Sequence, residues 1–364
     1  MATFKVQTVR VLIEEHPNAD ALELARVGDY RSVVRKGQFK SGDLVAYIPE
    51  QAIVPAPLLE ELGLTGRLAG KDKDRVKAIR LRGVLSQGLC YPARETWSEG
   101  QDVGEELGLS KYEPPVPTHM AGNVYGAGPE RCVRYDIENF QRYPEVLVAG
   151  EEVVFTEKIH GTWCQIGVMP TALADAEHGP LVVSSKGLAA KGLAFAPNAE
   201  ENAQNLYLRV ARSMELAARV REAFSGQLDA GAPVFVLGEV FGVGVQDLGY
   251  GAATSRDADL GFRVFDVLVG APSTGGYLDD AALDEACARM ELTRVPVVYR
   301  GPFGREVLRE HTSGDESVSG RGLHMREGVV IRPTRERRHD ELGRVQLKSV
   351  SERYLLRKGG TEYN

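Results

Sequence analysis

The sequence predicts an α+β chain in two parts, a small β-barrel over residues 1–120 and a larger domain of mixed strands and helices over residues 121–364. The first part has short alternating strands separated by Gly-Asp turns, a pattern typical of small barrels. The stretch Tyr112–Pro129 is rich in Pro and Gly and lacks apolar periodicity, which favours a boundary there. A length of 364 residues suits about two domains.

The composition is that of a soluble globular protein, with 43% hydrophobic and 26% charged residues, and it excludes a disordered chain, a collagen and a coiled coil. No apolar run reaches the ~18–20 residues that span a bilayer, and the first residues lack a signal-peptide core, so we expect a cytoplasmic protein without membrane contact. The four cysteines are scattered and indicate neither disulfides nor a Cys-based metal site. A net charge of −7 argues against non-specific nucleic-acid binding but permits a local basic groove.

The barrel is predicted from alternating segments bounded by turns. Its strand candidates are Phe4–Val9, Leu22–Val27, Arg31–Val34 and Leu44–Ile48. A basic run from Lys71 to Arg82 follows them and is a candidate for contacting nucleic-acid phosphates, although charge runs are usually solvated faces.

The second part is predicted to combine a sheet with covering helices. One helix should be capped by Asn198, bury a stripe from Leu206 to Phe224 and end at Gly226. Another should begin at Asp279 or Asp280 and bury Leu283, Ala286 and Met290. The strand candidates are Glu152–Glu157, Leu181–Ser185, Val234–Glu239, Arg263–Val269, Gly328–Ile331 and Arg344–Leu347.

The most informative segment is Val153–Thr162, in which a β-rich run ends in Lys158 and Gly161 follows three positions later. A lone K-x-x-G indicates little, because a surface lysine at a strand end gives the same pattern. Further segments follow in order, each with a polar or aromatic side chain at a strand end. These segments are Ser185–Gly187, Val236–Glu239, Val264–Val267, Glu327–Arg332 and Val345–Lys348.

This order resembles the covalent nucleotidyltransferase superfamily of DNA ligases, RNA ligases and mRNA capping enzymes. The run K-I-H-G-T after Glu157 is similar to the RNA ligase branch, whereas the other branches usually have Asp where His160 stands. The resemblance covers residues 137–354 and implies an ATP-grasp-like ligase domain of antiparallel sheets with flanking helices. The segment His16–Glu23 separately resembles oligonucleotide-binding (OB) barrels, and an OB-like module before the ligase domain is similar to the Deinococcus-type RNA ligase clade.

The resemblance implies that Lys158 is the nucleophile that accepts AMP. Its amine must be neutral to attack phosphorus, and lowering a lysine pKa from ~10.4 to ~7 requires about 4–5 kcal/mol of differential stabilisation. Burial and neighbouring cations act in that direction, and Lys186, Lys348 and a bound metal ion would supply the cations. Those two lysines would also contact the nucleotide phosphates.

Further roles are implied by the same resemblance. Glu239 would bind the ribose and Glu327 a divalent metal, Mg²⁺ or Mn²⁺, although the roles could be exchanged and Glu239 is also a candidate metal ligand. Glu157 would accept from the adenine amine and thereby favour ATP over GTP. Phe265 would stack on adenine, or simply belong to the core. The role of His160 is open between positioning Lys158 or a phosphate and capping a turn.

Two positions depart from the family pattern. Trp163 stands where RNA ligases commonly have Asn, and Gln346 stands where many relatives have a lysine. The departures leave the exact ribose, metal and 5′-phosphate contacts open.

The resemblance also implies the activity, which is the sealing of 3′-hydroxyl/5′-phosphate breaks. The expected partner is nicked or broken RNA or an RNA/DNA duplex, with RNA on the 3′-hydroxyl side. The C-terminal basic residues are further candidates for phosphate contacts: Arg335, Arg337, Arg338, Arg353, Arg357 and Lys358. Two alternatives stay open, a capping-type guanylyltransferase that uses GTP, and a non-catalytic RNA-binding protein on a decayed ligase domain.

Overall fold

A computed structural model describes residues 4–251 and 260–360. These residues divide into two compact units. One contains residues 4–113 and 138–145, and the other contains residues 114–137, 146–251 and 260–360. The segment 138–145 thus returns to the N-terminal unit. The predicted boundary at residue 120 between two functional modules stays a prediction.

The N-terminal unit is built from short antiparallel strands. Its elements before residue 114 are β1 (Thr8–Arg10), β2 (Leu12–Glu15), β3 (Leu22–Val27), β4 (Tyr30–Arg35), β5 (Leu44–Ile48), β6 (Ala52–Ile53), α1 (Ala56–Glu61), β7 (Ile79–Leu81), β8 (Val84–Ser86), β9 (Leu89–Pro92) and β10 (Ser110–Lys111). The sheet orders include β1-β5-β9 and β2-β3-β4. The strand predicted over Phe4–Val9 begins later, at Thr8, whereas β3 and β5 have the predicted bounds.

The C-terminal part of the chain mixes strands and helices. Its strands are β11 (Val124–Gly126), β12 (Glu138–Asn139), β13 (Glu152–Lys158), β14 (Thr162–Val168), β15 (Leu181–Ser185), β16 (Leu193–Phe195), β17 (Val234–Gly242), β18 (Leu260–Val269), β19 (Gly276–Tyr277), β20 (Val297–Pro302), β21 (Gly328–Pro333), β22 (Arg338–His339), β23 (Gly343–Arg344) and β24 (Leu347–Val350). Its helices are α2 (Lys186–Ala189), α3 (Leu206–Ser213), α4 (Leu216–Ala223), α5 (Ser225–Asp229), α6 (Asp280–Arg289), α7 (Arg305–Thr312) and α8 (Glu352–Leu355).

Two antiparallel sheets organise the C-terminal unit, in the orders β24-β21-β13-β20 and β15-β14-β17-β18-β19. β13 belongs to the first sheet and β14 to the second, so the short loop between them, residues 159–161, joins the sheets. The predicted lysine motif occupies this loop and the strand end before it. The α+β class with antiparallel sheets and flanking helices is therefore confirmed.

The long helix predicted from Asn198 to Gly226 is wrong. The chain forms α3, α4 and α5 instead, and Asn205 caps α3 by accepting from the backbone N–H groups of Tyr207 and Leu208. Glu215, at φ 52°, adopts the left-handed conformation and breaks the helix between α3 and α4. The apolar stripe continues across this break, so periodicity could not reveal it. The other predicted helix, α6, begins at Asp280 as expected.

Among the strands that escaped the sequence analysis are β14 and β20, and one predicted strand was misplaced. β14 is buried at every position, so it lacks the polar–apolar alternation that reveals a half-buried strand. β20 lies at a sheet edge and is half-exposed. The strand predicted over Arg344–Leu347 is instead the end of β23 and the start of β24. No helix of the described residues is both long and apolar enough to cross a membrane.

Ile166 of β14 is fully buried in the largest apolar cluster of this unit. Ile166→Ala should lower the free energy of unfolding by about 2–5 kcal/mol, because a buried cavity replaces most of the side chain. Chemical denaturation measures the change, and Leu173→Ala, at an exposed position, is the control. Equal stability of the two variants would contradict the placement of β14 in the core.

Candidate active site

A cavity of about 240 Å³ opens in the C-terminal unit, between residues of the two antiparallel sheets. Strands β13, β21 and β24 contribute to it from one sheet, and β14, β17 and β18 contribute from the other. Most of the predicted site residues line it: Glu157, Lys158, Lys186, Glu239, Phe265 and Lys348. The fold thus brings together residues that are spread over nearly two hundred positions of the sequence.

Lys158 ends β13, directly beside Gly328, the first residue of β21. This register places Glu327 against the lysine, and Lys158 Nζ donates to Glu327 Oε1 at 2.6 Å. The side chain of Glu327 is nearly buried, whereas that of Lys158 is about one-quarter exposed toward the cavity. The two predicted residues therefore meet as an ion pair at the wall of the cavity.

Gly161 allows the motif loop to lie close to β17. A Cβ atom at this position would lie 2.2 Å from the carbonyl oxygen of Val240 and 2.9 Å from Cγ of Glu239. No side chain fits there without moving the backbone of β17. The glycine of the motif is therefore required by the close approach of two chain segments.

Glu239 lies on β17, opposite Trp163 of β14. Burial raises the pKa of Glu239 to about 8, Lys158 opposes this shift, and the nearby charge of Glu327 adds to it. Lys186 also lowers the pKa of Glu239, and its amine lies 3.5 Å from Asp136. Near neutral pH Glu239 is therefore largely protonated, so it can both donate and accept hydrogen bonds.

Glu157 and Phe265 lie on the cavity wall as expected. Glu157 Oε2 accepts from the backbone N–H of Ser317 at 2.8 Å and lies 3.5 Å from the guanidinium of Arg326. Burial raises the pKa of Glu157, although both of these neighbours oppose the shift. The ring of Phe265 packs 5.2 Å from that of Tyr135, so it belongs both to the apolar core and to the wall.

His160 lies behind this wall in a buried network. Its Nε2 lies 2.8 Å from Asp247 Oδ1, and its Nδ1 lies 2.8 Å from the hydroxyl of Tyr354 and 3.8 Å from Glu327 Oε2. Its backbone N–H donates to the hydroxyl of Tyr250 at 2.7 Å. Burial lowers the pKa of His160, although Glu327 and Asp247 oppose the shift, and the lowered pKa favours the neutral imidazole. The sequence analysis missed the partners of His160, because no spacing signal connects them with the motif.

Several buried polar atoms at the cavity have no hydrogen-bond partner among the residues described. Glu157 Oε1, Trp163 Nε1 and Arg332 Nη2 belong to residues that line the cavity, and Glu327 Oε2 belongs to the partner of Lys158 just behind the lining. Buried polar groups in native proteins are nearly always paired, so each unpaired atom requires an explanation. Their concentration at one lysine-containing cavity indicates a bound polar ligand with both donor and acceptor groups.

The buried carboxylate of Asp266 holds together another part of the cavity wall. Asp266 accepts from the hydroxyl of Tyr135 at 2.6 Å, from Arg332 at 3.2 Å and from Arg344 at 2.5 Å. Gln346, which departs from the family pattern, donates to the hydroxyl of Tyr135 at 2.6 Å. Gln346 is therefore a buried structural residue in a network that fixes this side of the cavity.

The residues around the cavity can accommodate a divalent metal only together with a ligand. Within residues 4–251 and 260–360 no group of three acidic, His or Cys side chains could hold an ion by itself. Glu327 Oε2 nevertheless is a buried acceptor without a hydrogen bond, and Glu239 is close enough to influence it. Mg²⁺ and Mn²⁺ accept such sparse protein ligation when substrate phosphates and water complete the shell. The donor set therefore fits a substrate-bridged metal.

Several of the basic residues considered for nucleic acid are held by carboxylates. Arg337 binds Glu151 at 2.5 Å and Arg357 binds Asp247 at 3.2 Å, while Arg353 lies 3.4 Å from Asp315. Ion pairs within the unit explain the positions of Arg337 and Arg357, whereas the pair of Arg353 with Asp315 lies exposed at the surface. In the N-terminal unit, four basic residues of the predicted run are exposed: Lys71, Lys73, Arg80 and Arg82.

Comparison with known families assigns the chain. A model described as RNA ligase matches residues 151–350, more than half of the sequence, and a model described as an OB-fold domain matches residues 4–93. The chain therefore belongs to the RNA ligase family, with an N-terminal OB-fold module. No curated protein matches the chain.

Solved structures of a Naegleria gruberi RNA ligase share the fold. The form with PPi has a TM-score of 0.75 and 21% identity, and the match covers 97% of this chain and 98% of that chain. A mutant with ATP and Mn has a TM-score of 0.71 and 20% identity, and this match covers 96% and 97%. A mutant with AMP and Mn has a TM-score of 0.74 and 21% identity, with the same coverage. At this identity the similarity concerns the fold.

Asp266→Asn should lower the free energy of unfolding by about 3–5 kcal/mol. The guanidinium groups of Arg332 and Arg344 would stay buried without the negative charge of the carboxylate. Burial alone would raise the pKa of Asp266, but Arg344 and Arg332 outweigh it and hold the pKa below its ordinary value. The charge of Asp266 therefore stabilises the folded wild type at pH values above the ordinary carboxyl pKa. This stabilisation is lost as the pH falls through the pKa of Asp266 in the folded state.

Denaturation of both proteins from pH 7 down into the acid range measures the effect, with the exposed Asp229→Asn as control. The stability difference should shrink as the pH falls. A difference that stays constant over that range would show that the charge of Asp266 contributes nothing.

Proposed function

We propose that this chain is an ATP-dependent RNA ligase that seals 3′-hydroxyl/5′-phosphate breaks through a covalent lysyl-AMP intermediate on Lys158. The observation that carries the proposal is one cavity that combines the amine of Lys158 with buried polar atoms of its lining that have no hydrogen bond within the described residues, among them Glu157 Oε1 and Trp163 Nε1. An adenine nucleotide offers the matching donors, acceptors and negative charge. Membership of the RNA ligase family and the ATP, AMP and Mn in the titles of the Naegleria structures support the same ligand.

In the first step the amine of Lys158 attacks the α-phosphorus of ATP. A P–N bond forms, the bond from that phosphorus to the bridging oxygen breaks, and pyrophosphate leaves. The proton that Lys158 must lose has an acceptor in place, because Glu327 Oε1 lies 2.6 Å from Nζ. Lys186 and Lys348, which line the same cavity, would stabilise the charge that develops on the phosphate oxygens.

The base and the sugar have matching partners on the wall. Glu157 Oε1 is a buried acceptor without a partner, and the exocyclic amine of adenine is a donor, whereas guanine has a carbonyl at that position. Phe265 supplies a ring beside the base. Glu239, largely protonated near neutral pH, would bind the ribose hydroxyls, and the neighbouring indole N–H of Trp163 offers a further donor.

A divalent metal would be held by Glu327, with Glu239 as a second candidate ligand. When bound, such an ion neutralises phosphate charge and lowers the cost of nucleophilic attack. The proposed contribution of the chain is to keep one buried carboxylate oxygen without a competing hydrogen bond.

Two transfers complete the proposed reaction. An oxygen of the 5′-phosphate attacks the phosphorus of lysyl-AMP, the P–N bond breaks, and Lys158 recovers its proton. The 3′-hydroxyl then attacks the activated 5′-phosphate, which forms the phosphodiester and releases AMP. We propose nicks in duplexes with RNA on the 3′-hydroxyl side as the substrate, on the basis of membership of the RNA ligase family. The 2′-hydroxyl is the group by which the protein would distinguish RNA from DNA there.

The N-terminal module, residues 1–120, would hold the nucleic acid. Its match to an OB-fold domain and the exposed basic residues between Lys71 and Arg82 support this role. The overall charge of −7 makes such a local basic surface informative, because a chain with net negative charge attracts nucleic acid only through local basic regions.

The nucleophile is tested by intact-mass and peptide mass spectrometry after incubation with ATP and Mg²⁺ or Mn²⁺. The wild type should gain one AMP, mapped to Lys158, and Lys158→Ala should gain none because the attacking amine is absent. Lys191→Ala, an exposed lysine of the same unit, should behave as wild type. Parallel incubation with GTP separates the ligase from a guanylyltransferase. A label from GTP alone, or an adduct on another side chain, would contradict the proposal.

The basic surface is tested by the double variant Arg80→Ala/Arg82→Ala. Adenylylation by ATP should be unchanged, whereas binding of a nicked duplex should weaken, and the slope of log K against log salt should fall by about 1 for each lost phosphate contact. Fluorescence anisotropy over a salt series measures the slope. The matched control is Lys191→Ala/Arg221→Ala, at exposed positions of the other unit. An unchanged slope in the Arg80/Arg82 variant would place the duplex elsewhere.

A further inference from the structure

The imidazole of His160 is held on both sides by residues outside the lysine motif. Asp247 Oδ1 lies 2.8 Å from Nε2, and the hydroxyl of Tyr354 lies 2.8 Å from Nδ1. The side chain of His160 is only 5% exposed, so water does not replace these contacts. The ring of Tyr354 packs edge-on against the imidazole, with centroids 5.3 Å apart. These contacts fix both the plane of the ring and the identity of its hydrogen-bond partners.

The two partners also select the tautomer. Two groups face Nε2: Asp247 Oδ1 at 2.8 Å, which only accepts, and Arg357 Nη2 at 3.4 Å, which only donates. The contact with the carboxylate is shorter and stronger, so the hydrogen of the neutral ring lies on Nε2, toward Asp247. Nδ1 is then an acceptor, and the hydroxyl of Tyr354 donates to it. The ring consequently has no N–H group to offer Glu327 Oε2, which lies 3.8 Å from Nδ1. That carboxylate oxygen stays buried without a hydrogen bond.

The whole loop of residues 159–161 is bound by a short segment that follows β17. Gln246 Nε2 donates to the carbonyl oxygen of Gly161 at 3.2 Å, and the hydroxyl of Tyr250 accepts from the backbone N–H of His160 at 2.7 Å. Asp247 lies between Gln246 and Tyr250 in the sequence and also binds Arg357 at 3.2 Å. The guanidinium of Arg357 in turn lies 3.7 Å above the ring of Tyr354. Residues 246–250 and the chain around α8 therefore both contact the motif loop and fix its position.

Tyr354 and Arg357 lie beyond residue 350, where the match to the family model ends. The backbone nevertheless connects α8 to the site, since the N–H of Ser351 donates to the carbonyl oxygen of Glu327 at 2.8 Å. The helix α8, which carries Tyr354, therefore begins in direct contact with the backbone of Glu327. The hydroxyl of Tyr354 influences the carboxylate of Glu327 indirectly, through His160.

We infer that Asp247 and Tyr354 are positioning residues of the active site, which hold His160 in the tautomer that leaves Glu327 Oε2 without a hydrogen bond. The inference rests on the proposed function, because it assigns Glu327 to the transfer chemistry. Loss of the Tyr354 hydroxyl would leave the Nδ1 lone pair facing a carboxylate oxygen. The ring would then turn or exchange its tautomer, and the alignment of Glu327 with Lys158 would be lost.

The test compares Tyr354→Phe and Asp247→Asn with the wild type and with Tyr299→Phe, a control tyrosine whose hydroxyl donates only to a backbone carbonyl. Single-turnover adenylylation by ATP gives the rate, and its dependence on ATP gives the apparent affinity. Removal of a residue that orients an active-site ligand typically costs 10–100-fold, so the rate in both variants should fall by that factor with an apparent ATP affinity within about twofold of wild type.

Nitrogen NMR of histidine-labelled protein supplies a readout that a general loss of stability would not produce. The His160 signals, assigned with His160→Ala, should show the Nε2–H tautomer in the wild type and in Tyr299→Phe, and a changed signal in Tyr354→Phe. Wild-type rate and tautomer in Tyr354→Phe would overturn the inference while leaving the proposed function intact. A wild type that takes no AMP would instead refute the proposed function.

Discussion

The site depends on the contact between Lys158 and Glu327. It exists because the last residue of β13 lies beside the first residue of β21, so a lysine and a carboxylate that are distant in sequence meet at 2.6 Å. In water such a pair contributes little, but here the carboxylate is nearly buried, which strengthens the interaction and raises the cost of losing either partner. The pair also places a proton acceptor, the carboxylate of Glu327, beside the amine of Lys158, which would have to lose a proton in the proposed reaction.

Other residues of the C-terminal unit fix the positions of the segments that make this contact. Gly161 lets the motif loop approach β17, the segment 246–250 binds the loop, and the Asp266 network fixes the opposite wall. The polar groups in these supports are mostly satisfied internally, whereas Glu157 Oε1, Trp163 Nε1 and Glu327 Oε2 are not. Apart from Arg332 Nη2 in the Asp266 network, the groups without a partner are those to which the proposed function assigns a ligand.

Sequence analysis selected Lys158, Glu239 and Lys348 as residues at strand ends, and the structure places all three at one cavity. Only Lys158 ends its strand, whereas Glu239 lies inside β17 and Lys348 is the second residue of β24, and the roles of the three stay predictions. It missed β14, because a strand buried on both faces has no alternation, and it joined α3, α4 and α5, because one apolar stripe continues through the left-handed Glu215. It could not find Asp247 or Tyr354, since contacts across 87 and 194 positions leave no periodic signal. The order of motifs predicts the chemistry, whereas the residues that would orient the motif are found only from the three-dimensional structure.

The account requires that the nucleotide on Lys158 be an intermediate on the path to the phosphodiester. The most direct measurement is to adenylylate the enzyme, remove free ATP and mix the adduct with a nicked duplex that has RNA on the 3′-hydroxyl side. The account predicts one sealed strand and one released AMP for each adduct consumed, within a single turnover. An adduct that persists while added ATP still supports sealing would contradict it, because the nucleotide would then reach the strand by another path.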